Sequence, residues 1–252
     1  GGFTIETTID LDLQEKAEEA VRKTLEENAH QNVNSAAFVL CDKFGRILVE
    51  IGGSDWKDTK FNRVTQAKLQ PGSSFKAIVY TAAMMNGTVH PEDILSNEPI
   101  SIKNGLGNGK PWVPRNSNKN ESGPRVSLER AFAESWNLPA IHTVIDMGAQ
   151  KVVDVSRDVF GIDNLKAVPS IALGSVEVSP IKMLSAYSVF MLKGDRLEPQ
   201  IISRIKNPQG EVIFTTEPVI HKGVLEEQIV RQMDALLETP VKRGTGWRAQ
   251  IV

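Results

Sequence analysis

A hydroxyl and an amine three residues apart can do chemistry together when a helix brings them onto one face. Ser73 and Lys76 stand at that spacing in Gln-Pro-Gly-Ser-Ser-Phe-Lys, residues 70–76. Pro71-Gly72 sets a tight turn just before them. Phe75, Ile78, Val79, Tyr80, Ala82, Ala83, Met84 and Met85 make the following segment, roughly 73–86, too apolar for a surface helix. Ser73 is therefore expected at the start of a buried helix. Unpaired backbone N–H groups and the positive end of the helix dipole there favour developing negative charge. Lys76 lies one turn on, about 5–6 Å away between Cβ atoms. Burial favours its neutral form, and a neutral amine within reach of a hydroxyl can take its proton. The bland alternative is a serine N-cap followed by a lysine whose stem lies along apolar surface while its amine reaches water.

Spacing alone does not select this pair, because Ser54–Lys57, Ser179–Lys182 and Ser203–Lys206 repeat it. Ser203 and Lys206 fall in an expected strand, where residues three apart face opposite sides. Ser54 and Lys57 lie in a polar loop. Ser179 precedes Pro180 and reads as a helix N-cap, with Lys182 solvated. A second constellation adds weight to Ser73: Ser135-Trp136-Asn137 is the one Ser-x-Asn of the chain. A serine and an asparagine two apart can both face a cleft from a loop, one relaying a proton and the other holding an amide. The ordinary alternative is an asparagine at the C-terminus of a helix that stops at Pro139.

The elements that must position these residues follow from the hydrophobic pattern. Residues 3–8 are rich in β-branched side chains and read as a strand. Asp10 caps a helix on which Leu13, Ala17, Ala20, Val21 and Leu25 recur. Residues 36–53 read as a hairpin turning at Asp42–Gly45, and 199–216 as another turning at Asn207–Gly210. Residues 97–124 form a long loop region rich in Gly, Asn and Pro, a kind of segment that often carries function. Ser127 caps a helix through about Trp136, segments of 140–192 are helical, and a last helix covers about 224–239. The expected class is α+β: an antiparallel sheet flanked by helices, with a mainly helical subdomain carrying Ser135 and Asn137.

With 29 basic and 31 acidic residues, and no basic stripe interleaved with aromatics, the chain gives no reason to expect a nucleic-acid partner. No apolar run approaches the 18 residues of a membrane span. Cys41, the only cysteine, excludes an internal disulfide and reads as an apolar strand residue. His30, His90, His142 and His221 show no metal-ligand spacing, and His142 is expected in the core. No cofactor or metal is expected.

Ser-x-x-Lys at a helix start with a downstream Ser-x-Asn resembles the signature of penicillin-binding proteins and class A β-lactamases. The longer context resembles the transpeptidase domain of class A (bifunctional) penicillin-binding proteins. Segments that carry the likeness are GGFTIETTIDLDLQEKAEEAV, FVLCDKFGRILVEIGG, FNRVTQAKLQPGSSFKAIVY, VSLERAFAESWNLPAI and SIALGSVEVSPIKMLSAYSVFMLKG. They run in the family's order over nearly all 252 residues. Three residues differ: Cys41-Asp42 stands where Asp-Pro is usual, and Lys68 where Arg is common. The family's third motif, Lys-Thr/Ser-Gly, is absent. Lys242-Arg243-Gly244-Thr245 is read instead as part of the Gly-Thr-Gly segment that precedes it, so the strand carrying that motif is expected beyond Val252.

The resemblance implies that residues 1–252 are a transpeptidase domain of the penicillin-binding protein/β-lactamase-like fold, incomplete at its C-terminus. A membrane anchor and a glycosyltransferase domain would lie outside it, and it would work in the periplasm or at the outer face of the membrane. The implied activity is a serine D,D-transpeptidase that cross-links peptidoglycan stem peptides, with β-lactams as covalent inhibitors. Ser73 is implied as nucleophile, Lys76 as its base, Ser135 as proton relay and Asn137 as the residue that binds substrate and fixes Lys76. A D,D-carboxypeptidase or β-lactamase would use the same acyl-enzyme, but no acidic residue has a context that marks it as a deacylation base. A catalytically incomplete binding fragment of the same fold is the third reading.

Overall fold

The computed structural model describes residues 2–57, 59–103, 109–117 and 123–250. In chain order the strands and helices are β1 (Thr4–Thr7), α1 (Leu11–Glu27), β2 (Phe38–Cys41), β3 (Ile47–Ile51), α2 (Lys76–Met85), β4 (Ile94–Ser96), β5 (Arg125–Ser127) and α3 (Leu128–Ala133). There follow α4 (Asn137–Met147), α5 (Ala149–Asp158), α6 (Pro180–Met191), β6 (Arg196–Glu198), β7 (Ile202–Lys206), β8 (Val212–Thr215), β9 (Val219–His221) and α7 (Glu227–Arg243). The chain forms two compact units, one of residues 1–69 and 178–223, the other of 70–177 and 224–252.

The first unit holds most of the sheets, and the β4–β5 pair lies in the second. β1, β7 and β8 pair antiparallel in the order β1-β7-β8, and β2 and β3 form the expected hairpin. Asp42 builds its turn by accepting from the backbone N–H groups of Phe44 and Arg46, and Gly45 takes the left-handed φ of +82° that the turn needs. Ile47, Val49 and Ile51 alternate onto one buried face of β3. α1 lies against that strand, with the Gln14 side chain bonded to both the N–H and the C=O of Glu50. Asp10 caps α1 as expected, accepting from the Leu13 N–H at 3.0 Å. Cys41 ends β2 half-buried, and burial pushes its thiol pKa up, which fits an inert strand residue. The expected α+β class holds, with the antiparallel strands divided among several small sheets. Bulges break the ladders after Glu6, Leu40 and Ile205.

The second unit is mainly helical and centres on α2. Every residue from Lys76 to Met84 is buried. α4, α5 and α7 pack around it, and Phe132 of α3 meets Tyr80 edge to face at 5.8 Å. Two boundaries differ from expectation. α7 begins at Glu227 and runs through Pro240 to Arg243. The ring of Pro240 can donate no bond to Leu236, and the Thr239 hydroxyl takes that carbonyl instead, at 2.7 Å. Pro139 does not stop a helix: α3 ends at Ala133, and Pro139 lies in the first turn of α4, where a missing N–H costs nothing. His142, expected in the core, is half-buried, with Nε2 2.9 Å from the Glu98 carbonyl oxygen. Among the described residues no helix is long and apolar enough to cross a membrane.

Candidate active site

Ser73, Lys76, Ser135 and Asn137 all belong to the helical unit. Ser73 does not begin an α-helix. It sits in a 3-10 turn, Gly72–Phe75, that runs directly into α2, and its carbonyl accepts the N–H of Lys76. The turn is entered through Gly72 at φ +57°, so Ser73 is exposed while Phe75 and Lys76 are buried. An N-cap serine would bond the N–H of the second or third helical residue, and that role is not taken here. Ser74 instead turns its hydroxyl back to the Pro71 carbonyl at 2.7 Å.

The sharpest feature is Lys76, 3% exposed. Its Nζ donates to Asn137 Oδ1 at 2.8 Å, to the Ser135 carbonyl at 2.8 Å and to Ser135 Oγ at 3.1 Å. Solvated snorkelling is thus ruled out. An ammonium has three donors, and these three acceptors satisfy it. A neutral amine has two donors, which match the two carbonyl oxygens. Its lone pair then faces Ser135 Oγ, a hydroxyl that can turn from acceptor to donor. The pocket therefore satisfies both protonation states without moving a heavy atom. Burial lowers the amine's pKa from 10.5 to about 8, so both states are populated near neutral pH. Ser73 Oγ makes no hydrogen bond to Lys76 among the described residues. Catalytic contacts are often long before substrate arrives.

Ser135 is presented by the end of α3. The Trp136 N–H bonds Ala131 O at 2.8 Å and the Ser135 N–H bonds Phe132 O at 3.1 Å. This is a Schellman ending, with Ser135 in the left-handed position at φ +57°. Glycine is usual there. A serine adds about 1–2 kcal/mol of strain, and such strain gathers at functional sites. The turn is held by Trp136, 1% exposed, which packs with Val126 and Ala131. Its indole N–H donates to Glu134 at 3.0 Å, and Arg130 lies over its ring.

Asn137 opens α4. Its Oδ1 faces Lys76, its Nδ2 donates to Arg115 O at 3.0 Å, and its backbone N–H donates to Asn116 Oδ1 at 2.7 Å. Residues 115 and 116 were legible only as part of the long loop region.

Two glycines fix the backbone beneath these side chains. A methyl on Gly174, itself at φ +66°, would overlap the Gly72 carbonyl oxygen and come within 2.8 Å of the Gly72 nitrogen. A methyl on Gly244 would come within 2.6 Å of the Ala133 carbonyl carbon. The neighbouring Thr245 N–H donates to that same carbonyl at 3.1 Å. Lys242 and Arg243 pair on the surface with Glu238 and Glu129, so they stand apart from the Lys76 cluster.

Two of the other Ser-x-x-Lys serines lie in ordinary structural positions. Ser203 Oγ donates to Glu6 O, and Lys206 pairs with the Glu6 carboxylate. Ser179 occupies the N-cap position of α6, with Pro180 as the first helical residue.

Residues 25–251 match the family model described as the penicillin binding protein transpeptidase domain. Penicillin-binding protein 2D of Bacillus subtilis (strain 168) is 33% identical over 228 residues, covering 90% of this chain and 32% of that protein. Penicillin-binding protein 1A of Escherichia coli (strain K12) is 34% identical over 189 residues, 75% of this chain and 22% of that one. The chain thus spans about a third or less of the length of these relatives. Among solved structures, penicillin-binding protein 1A from Haemophilus influenzae superposes with a TM-score of 0.77 at 26% identity, over 85% of this chain and 37% of that one. The imipenem acyl-enzyme of penicillin-binding protein A from M. tuberculosis shares the fold, with a TM-score of 0.78 at 18% identity, over 99% of this chain and 66% of that one.

Proposed function

The chain belongs to the penicillin-binding protein transpeptidase family, and from that premise we propose that it is a serine D,D-transpeptidase domain with Ser73 as its nucleophile. The observation that carries this reading is the buried Lys76 amine, held between Ser135 and Asn137 with its proton balanced near neutrality.

In this reading Ser73 Oγ attacks the carbonyl carbon between the two terminal D-alanines of a stem peptide. Its proton passes to the neutral Lys76 amine once bound substrate has turned the amine lone pair from Ser135 Oγ to Ser73 Oγ, and the Ser73 N–H serves as one oxyanion donor. As the C–N bond breaks, Lys76 returns that proton to the departing D-alanine nitrogen through Ser135 Oγ. An amine of a second stem peptide then attacks the ester, its proton passes to the again neutral Lys76, and Lys76 gives it to Ser73 Oγ as the ester C–O bond breaks. Asn137 keeps Lys76 in place and offers the remaining N–H of its amide to the substrate. β-Lactams, which mimic the D-Ala-D-Ala end, should acylate Ser73, as the M. tuberculosis neighbour is described with imipenem. The chemistry belongs on the outer side of the cytoplasmic membrane, where peptidoglycan lies.

The test is penicillin labelling of the intact protein followed by peptide mass mapping. One penicilloyl adduct on the peptide containing Ser73 is expected, formed in a single slow burst. Sustained turnover of a chromogenic β-lactam would move the assignment to a hydrolase, and no adduct would leave a binding module. The acylation rate should also rise about tenfold per pH unit below the Lys76 pKa and level off above about 8, because only the neutral amine accepts a proton. A rate independent of pH between 6 and 9 would remove Lys76 as the base.

A further inference from the structure

We propose that Asn116 is a positioning residue of this site, holding Asn137 and through it the Lys76 amine. The proposal rests on the transpeptidase reading only for its effect on acylation rate. The first N–H groups of a helix have no helical partner and usually bond a side chain at the N-cap. In α4 the N-cap position is Trp136, whose side chain has no acceptor and whose indole N–H is engaged with Glu134. Asn116, 21 residues upstream of Asn137, takes the role: its Oδ1 accepts the N–H groups of both Asn137 and Leu138, each at 2.7 Å.

The other end of the Asn116 amide is anchored as well. Its Nδ2 donates to Asn97 Oδ1 at 2.7 Å. Asn97 is 7% exposed and is pinned in turn: its Nδ2 donates to Gly123 O at 3.0 Å and its N–H to Pro124 O at 2.7 Å. Those bonds continue the β4–β5 ladder, so Asn116 is tied to a sheet rather than to a free loop. The residue before it completes the hold, because Arg115 O accepts Asn137 Nδ2 at 3.0 Å. Two adjacent residues therefore grip Asn137 by its backbone and by its side chain. With Nδ2 committed to Arg115, only Oδ1 can face Lys76. An amide turned the other way would present donors to a donor.

The test compares Asn116→Ala and Asn116→Asp in the intact protein. Three readouts are needed: thermal melting, penicillin acylation and the pH titration of Lys76 followed by its 13Cε NMR resonance. Asn116→Ala removes the acceptor. It should melt a few degrees lower, as cap losses do, and acylate Ser73 about ten- to a hundredfold more slowly at pH 8, the scale of a misplaced catalytic group. Asn116→Asp keeps an acceptor for both N–H groups but adds a carboxylate and gives up the donor to Asn97 Oδ1. In the wild type burial lowers the Lys76 proton affinity. The new charge should raise the Lys76 midpoint by about one pH unit and move the acylation profile to higher pH by the same amount, with the plateau restored to within about tenfold. A merely structural asparagine would lower the melting temperature and leave the Lys76 midpoint of the uncharged Asn116→Ala variant unchanged, whereas loss of a positioning one lets water reach the amine and moves that midpoint up from about 8 toward 10.5. An unchanged midpoint, or wild-type acylation, in Asn116→Ala overturns the proposal. If the wild type itself takes no penicillin, the transpeptidase reading fails, while the Lys76 titration still decides the role of Asn116.

Discussion

Lys76→Ala is expected to slow penicillin acylation of Ser73 by about a thousandfold or more at pH 8, while the melting temperature moves by only a few degrees. The large effect follows from the loss of the group proposed to take the serine proton, a role worth about 10²- to 10⁴-fold in comparable systems. The small one follows from two opposed terms. Without the amine, the Ser135 carbonyl and Asn137 Oδ1 lose their donor, at roughly 1–3 kcal/mol for each acceptor left buried and unpaired. Against that, the wild type carries a buried cation at neutral pH, and its removal relieves the burial that lowers its pKa from 10.5 to about 8. The sign of the pH dependence checks this. Between about pH 8 and 10.5 the unfolded lysine holds its proton and the folded one does not, so wild-type stability should rise with pH in that window. The gain relative to Lys76→Ala should be about 3 kcal/mol, read as the difference between urea melts of the two proteins at pH 7.5 and 10.5. A variant that acylates normally would end the base assignment. Equal pH dependence in the two proteins would show that Lys76 is not the buried titrating group.

Gly174→Ala carries the second large effect. The added methyl would drive the Gly72 carbonyl and the 3-10 turn bearing Ser73 outward, since backbone cannot swing aside as a side chain can. A displacement near 1 Å costs about a hundredfold in a positioned reaction, and that is the expected fall in acylation rate. Gly174 also has φ +66°, so alanine there is strained whatever the space. Gly87→Ala separates the two causes. Gly87 has φ +68°, and nothing lies within 4 Å of the place its Cβ would take. That control should lose about 1–2 kcal/mol of stability and acylate normally. If both variants acylate alike, the contact with Gly72 does not position the nucleophile.

Much of this arrangement can be read from side-chain types. The apolar run after Ser73 predicts a buried α2, and a lysine inside it is costly without acceptors. Ser135 and Asn137 are the polar pair with the right chemistry, and they supply them. What escapes the sequence is conformational or long-range. Ser135 sits where a Schellman ending calls for glycine, so no local signal announces the turn. Pro139 reads as a helix stop because a proline breaks an interior turn, yet in a first turn it is harmless. Ser73 resembles an N-cap, but the 3-10 turn moves the α-helix start onto Lys76. Asn116 caps a helix 21 residues away, a pairing that only the folded chain makes visible. The hairpins and α1 were legible because their turn and capping residues act over a few positions.

Gly244 and Thr245 press on the carbonyl of Ala133, two residues before Ser135. A ribosome therefore delivers the serine more than a hundred residues before the backbone that braces it. Until that late segment docks, the α3 ending lacks one of its supports. The pocket around Lys76 should thus mature only after residues 244 and 245 have been made and docked, and a nascent chain halted before residue 244 should hold its lysine in water.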